Sequence, residues 1–184
     1  MKRIQRAAVL ASLLKHLEEK GSWCGETHMQ KATYFLQGLL EVPLGYDFIL
    51  YKHGPFSFDL SDELGRLEAD YLIEEVSQPR PYGPSYRLAD DAWKKLTHWE
   101  GQTIARAEGS IGFVADHLGD KNVSELERLA TALYATIDDR AGAGNTVDAR
   151  AKWIVGVKPH IALAQARDAV REVDSIMEAA NQMA

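Results

Sequence analysis

The sequence predicts a mainly helical protein with a small β-hairpin, a winged-helix-like N-terminal half followed by a helical C-terminal bundle. Three observations carry that expectation. Apolar residues recur at helical spacing over most of the chain, a Pro-rich segment near residue 80 is flanked by short strand-like runs, and everything after Asp90 again follows the helical period.

The first helix is expected from about Arg3 to Lys20. Ile4, Ala7, Leu10, Leu14 and Leu17 fall on one face, Lys15, Glu18 and Glu19 on the other, and Gly21 ends it. A second helix begins at Thr27, where Thr27 and Gln30 have capping-box spacing, and carries Met29, Ala32, Leu36, Leu39 and Leu40. Phe48 to Tyr51 reads as a strand, and Gly54 and Pro55 as a turn. Ser57 caps a third helix, which buries Leu60, Leu64 and Leu67. Tyr71 to Val76 and Ser85 to Leu88 then flank a tip with three prolines, the wing of a winged helix-turn-helix.

Beyond that, helices are expected over about Asp91 to Trp99, Thr103 to Leu118, Val123 to Ile137, Val147 to Val155 and Ala162 to Met183. Ser124 and Glu127 suggest a capping box, and the Ala-Gly-Ala-Gly run within Asp138 to Asn145 a flexible loop. Residues 1–100 are read as the winged-helix-like domain and 101–184 as a helical domain packed on it. Trp93 and Trp99 are assigned to the core or the interdomain contact. On the last helix, Ala164, Val170, Val173, Ile176 and Met177 are assigned to internal packing, with homodimerisation left open.

Composition bounds function. The 184 residues are 46% apolar and 26% charged, a globular balance. Nowhere do about eighteen apolar residues run together, so no membrane span is expected and a cytoplasmic location follows. The net charge of −6 divides evenly, at −3 for each of 1–100 and 101–184, so no domain-wide positive field attracts a polyanion.

Chemistry-bearing patterns are sparse. Cys24 is the single cysteine and reads as a buried thiol; its spacing to His28 lacks a third orienting group. The six histidines, at 16, 28, 53, 98, 117 and 160, show no metal-ligand spacing. Carboxylates at Asp59, Asp62 and Glu63, and at Asp90 and Asp91, fit solvated helix faces and helix starts. Gly142 and Gly144 follow a helix and form no phosphate loop. No catalytic residue, cofactor site or metal site is assigned, and the chain is read as a non-enzyme.

Two segments carry a resemblance. Met29-Gln30-Lys31-Ala32-Thr33-Tyr34-Phe35 followed by Tyr51-Lys52-His53-Gly54-Pro55 and a helix resembles the signature of the Panacea antitoxin family and its YwgA-like relatives, most strongly over residues 27–75. Leu126 to Tyr134 also looks like a helix of the YwgA-like group. Met29 stands where leucine is usual, Tyr51 where the Panacea pattern has tryptophan and His53 where it has tyrosine, which places the chain nearer the YwgA-like branch. The resemblance implies a protein of mobile-element or phage-defence neighbourhoods, acting by contact with another protein or nucleic acid and with no family-wide catalytic residue to transfer; the partner is read as another protein, a toxin, nuclease or regulator. Gln30, Lys31, Tyr34, Tyr51, Lys52, His53, Gly54 and Pro55 are expected to be structural; the competing reading has Lys31, Lys52 and His53 lining one recognition surface.

For contact with a partner, the stiff tip offers Arg80, Tyr82, Tyr86 and Arg87. DNA recognition is disfavoured, because the third helix would present Asp59, Asp62, Glu63 and Glu68 against the single Arg66 to a phosphate backbone. The alternative is a DNA-associated transcriptional regulator that binds as a dimer through wing arginines, helped by Lys2, Arg3 and Arg6.

Overall fold

The computed structural model describes residues 1–79 and 83–183, for Arg140 the backbone alone. In order it has α1 (Arg3–Glu19), α2 (Glu26–Gly38), β1 (Ile49–Tyr51), β2 (Gly54–Phe56), α3 (Phe58–Ala69), β3 (Ile73–Val76), β4 (Ser85–Leu88), α4 (Ala92–Leu118), α5 (Val123–Ile137), α6 (Val147–Val157) and α7 (Leu163–Asn181). The protein is mainly helical with two small antiparallel hairpins. No helix among the described residues is long and apolar enough to cross a membrane.

α1 is the central helix. Every residue from Ala7 to Leu14 is buried, as is Leu17, so the expected amphipathic stripe widens to the whole circumference over two turns. α4 packs along it, while α2 and β4 cover other faces. Ala8, Ala11 and Ser12 make this feasible, because small side chains let neighbouring helices approach outside the apolar stripe.

α4 joins two helices expected to be separate. Glu100 interrupts it with φ −130° and ψ 25°, and its carboxylate accepts a 2.6 Å hydrogen bond from the Thr103 hydroxyl. The boundary expected at residue 100 therefore lies at a kink within one helix, and the buried apolar cluster runs through residues on both sides of it.

β1 and β2 pair in register Ile49↔Phe56, Leu50↔Pro55 and Tyr51↔Gly54, so Gly54 and Pro55, expected as a turn, are strand residues and the turn is Lys52-His53. A proline is tolerated here because β2 is an edge strand. The second hairpin forms where expected, pairing Ile73↔Leu88 through Val76↔Ser85.

Helix starts differ in an informative way. Ser57 caps α3 as expected, accepting from Leu60 N at 3.3 Å. α2 starts at Gly25 without a side-chain cap, and Gln30 is not part of a capping box. α5 is capped by Asn122 with Glu125, not by Ser124 with Glu127: Asn122 Oδ1 accepts from Ser124 N and Glu125 N, and Glu125 Oε2 accepts from Asn122 N at 2.8 Å. Both corrected residues, Gln30 and Glu127, are buried and used elsewhere.

At the C-terminal end α5, α6 and α7 pack together. Buried Arg150 forms a two-pronged pair with Asp174 at 2.7 and 2.8 Å and donates to Thr136 Oγ1 at 2.8 Å, tying the three helices. Val170, Val173 and Ile176 face this core; Ala164 is exposed, contrary to expectation, because it lies on the opposite side of the first turn of α7. The Asp138–Asn145 segment holds a short 3-10 turn, Asp139–Ala141.

Candidate functional site

The β1–β2 hairpin is held from beneath by residues distant in sequence. On α2, the Gln30 carboxamide accepts from Ser57 N and donates to Ser57 O, both at 2.9 Å, fixing the entry to α3. One residue on, Lys31 donates from Nζ to Pro55 O at 2.8 Å. Tyr34 packs edge-on against Phe48, with ring centroids 5.0 Å apart. Lys158, just past α6, also donates to the hairpin, at the carbonyls of Tyr51 and Lys52. Two lysine ammonium groups thus satisfy three backbone carbonyls of one hairpin.

Gly54 is required by this packing. Its φ is +86°, and a Cβ there would lie 3.0 Å from Thr131 Oγ1 and 3.4 Å from the Glu127 carbonyl, so α5 runs directly against the hairpin.

Glu127 supplies the counter-charge. It is 7% exposed, with Lys158 Nζ 4.0 Å and His160 Nε2 3.2 Å from Oε1, and His53 Nδ1 3.6 Å from Oε2. His160 lies at ion-pair distance but outside hydrogen-bonding geometry, which leaves Oε1 held by electrostatic attraction without a directional bond. Burial pushes the Lys31 ammonium down to about 8, opposed by Glu127 and reinforced by Lys158. Lys158 is likewise lowered by burial, with Glu127 opposing. Burial of both cations, only partly offset by the one carboxylate they share, explains both directions. Although a lowered lysine suits general-base chemistry, Lys31 is 2% exposed and already bonded to Pro55 O, so it is closed to a substrate.

The outer face of the same hairpin is aromatic. Tyr51, Phe56 and Phe58 form a closed triangle with ring centroids 5.8, 5.6 and 5.1 Å apart. Phe58 is 56% and Tyr51 51% exposed, and Lys52, His53 and His160 are exposed near them along the chain or around Glu127. The resemblance-bearing residues therefore separate by depth. Gln30, Lys31, Tyr34, Gly54 and Pro55 are buried, whereas Tyr51, Lys52 and His53 face out. The recognition surface imagined for Lys31, Lys52 and His53 loses Lys31 to the interior.

Of the four wing residues named from sequence, Arg80 and Tyr82 lie outside the described residues. Tyr86 is half-buried against the core, and its N–H donates to Cys24 O at 2.9 Å. Arg87 is exposed but paired with Glu74 at 2.7 Å. Arg3 is also taken, by Glu63 and Asp70, and the Arg6 guanidinium lies 5.7 Å from the Tyr46 ring centroid. On α3, Glu63 is turned inward and paired with Arg3 and Arg66, a correction to its expected display on that surface, while Asp59, Asp62 and Glu68 face solvent.

Cys24 is buried, and burial pushes its thiol up to about 11, which disfavours the thiolate. Trp93 is half-buried beneath Lys15, whereas Trp99, expected inside, is 59% exposed beside the α4 kink. Among the described residues no three His, Cys, Asp or Glu side chains are arranged to hold a metal ion.

Glu127, Lys158 and His160 were not found from the sequence, since nothing at their positions marks a connection to residue 53. The aromatic triangle had a faint signal in the alternation of Phe56 and Phe58 around Ser57. No protein-family model matches the chain, and no curated protein matches it.

Proposed function

We propose that the chain is a non-enzymatic, cytoplasmic protein-binding module of regulatory type, winged-helix-like in its N-terminal half, whose contact surface is the aromatic face of the β1–β2 hairpin. The observation that carries this reading is the Tyr51–Phe56–Phe58 triangle, two of whose rings are more than half exposed. Aromatic rings packed edge-on on a fixed support lose little entropy on docking and dominate interface energetics when desolvated. Lys31 and Lys158, bonded to the hairpin's carbonyls, supply the rigid support.

The resemblance to the Panacea antitoxin and YwgA-like group, with its toxin, nuclease or regulator partners, agrees with this reading. The alternative, a dimeric DNA-associated regulator using its wing, draws less support, because Arg3 and Arg87 already carry carboxylate partners.

The test compares wild type with the double variant Tyr51→Ala, Phe58→Ala as baits in native lysate. A stoichiometric protein retained by wild type and lost by the variant, with unchanged melting behaviour, is the expected result. Equal retention by both baits, or retention of random duplex DNA at low salt, overturns it.

A further inference from the structure

β1 forms one edge of its small sheet, and that edge is bare. It pairs with β2, and α2 and α5 pack chiefly against β2 rather than against β1. Because Pro55 has no N–H, the pair Leu50↔Pro55 exchanges no ladder bonds, which lie instead at Ile49↔Phe56 and Tyr51↔Gly54. The N–H and C=O of Leu50 therefore point away from β2, and no group among the described residues is bonded to either. Edge strands are ordinarily protected by a charge, a proline or a bulge. β1 carries none of these: Ile49 is 38% and Tyr51 51% exposed on one face, with Leu50 half-buried on the other.

This edge is complementary to itself. A residue that presents both backbone groups outward pairs with its own copy across a twofold axis, N–H to C=O in both directions, when the strands run antiparallel. Centring the axis on Leu50 sets Ile49 opposite the second copy's Tyr51, and Tyr51 opposite its Ile49. Each is a β-branched residue facing an aromatic one, a favourable cross-strand combination, made from side chains that the single chain leaves in water. Further along the same register Asp47, exposed and without an ion-pair partner among the described residues, comes to the second copy's turn, where Lys52 and His53 are exposed. Opposite charges thus meet at both ends of the pairing. Gln37 bonds both the N–H and the C=O of Tyr46, which closes the edge beyond Asp47 and keeps the interface short.

We infer that β1 is a homodimerisation strand: two copies join edge to edge through antiparallel β1 strands centred on Leu50, making one four-stranded sheet in the order β2–β1–β1–β2. Directly opposed residues share a face, so the surface carrying Tyr51, Phe56 and Phe58 continues across the twofold and sets two aromatic triangles side by side. The dimer stands independently of what that surface binds.

Sedimentation velocity of the full chain from about 1 µM to about 1 mM tests it. A monomer–dimer equilibrium is expected, a weak one because the paired strands are short. Ile49→Lys places an ammonium on the edge twice per dimer and is expected to weaken association about tenfold or more, with an unchanged thermal melt. Disulfide trapping reads the register. An oxidised equimolar mixture of Ile49→Cys and Tyr51→Cys chains is expected to give the mixed cross-linked dimer in clear excess over either self-linked one, because directly opposed residues of a non-hydrogen-bonded pair have Cα atoms about 4.5 Å apart. Cys24 is buried and does not compete. A chain that stays monomeric throughout the range overturns the proposal, as does a dimer that Ile49→Lys leaves intact or self-linking equal to mixed linking. Wild-type sedimentation and the trapping decide the matter even where Ile49→Lys does not fold.

Discussion

Replacing Lys31 by methionine isolates the charge that underlies the hairpin. Methionine keeps the apolar stem and removes the ammonium, so the core volume is nearly conserved while Pro55 O loses its donor. An unpaired buried carbonyl costs about 1–3 kcal/mol, and relief from burying a cation offsets part of that near neutrality. The pH dependence is sharper than the magnitude. Folded Lys31 releases its proton near pH 8, whereas the unfolded chain holds it until about 10.5. Across that window unfolding takes up a proton, so Lys31 adds stability as pH rises. Relative to Lys31→Met, wild type is expected to gain about 1 kcal/mol by pH 9 and about 2–3 kcal/mol by pH 10. Urea unfolding of both proteins followed by circular dichroism at pH 7, 8, 9 and 10 measures the difference. Titration of Cys24, Tyr46 and Tyr86, raised by burial, destabilises both proteins alike at alkaline pH and cancels in the difference. A stability gap that stays flat from pH 7 to 10 would refute the assignment of Lys31 as a buried cation.

Glu127→Gln keeps the shape but leaves two buried lysines without their carboxylate; a loss of about 3–5 kcal/mol at pH 7 is expected in urea unfolding, shrinking as pH rises and the lysines neutralise. Gln30→Ala removes both bonds to the Ser57 backbone, and a loss of about 2–4 kcal/mol is expected, with fast amide exchange at Ser57 as its local signature. Gly54→Ala forces a Cβ toward Thr131 in a left-handed backbone, so a drop of about 1–3 kcal/mol should appear in thermal melts. Phe58→Ala, by contrast, should leave stability within about 0.5 kcal/mol while weakening partner capture, since the ring is mostly in solvent.

Local order was legible in the sequence wherever it depends on neighbours along the chain. Ser57 as a cap, the β3–β4 pairing and the apolar stripes of α3 and α7 follow from spacing of a few residues, and these formed largely as read, with Ala164 the exception. The same local logic misassigned Gln30 and Glu127 to capping boxes. Their spacing fits one, but a nearer start for each helix left both side chains free to be buried.

The charge cluster had no local signature. Lys31, His53, Glu127, Lys158 and His160 are scattered between positions 31 and 160, and only packing of α5 and the α6–α7 junction against the hairpin makes them neighbours. Sequence alone determined that the chain is mainly helical, mildly acidic in each half and marked at Gln30-Lys31 and Gly54-Pro55, because periodicity, composition and backbone restriction are properties of short segments. Tertiary structure decided which of those marked residues face inward and which carboxylate balances which lysine, because burial and pairing depend on distances between segments that are remote along the chain.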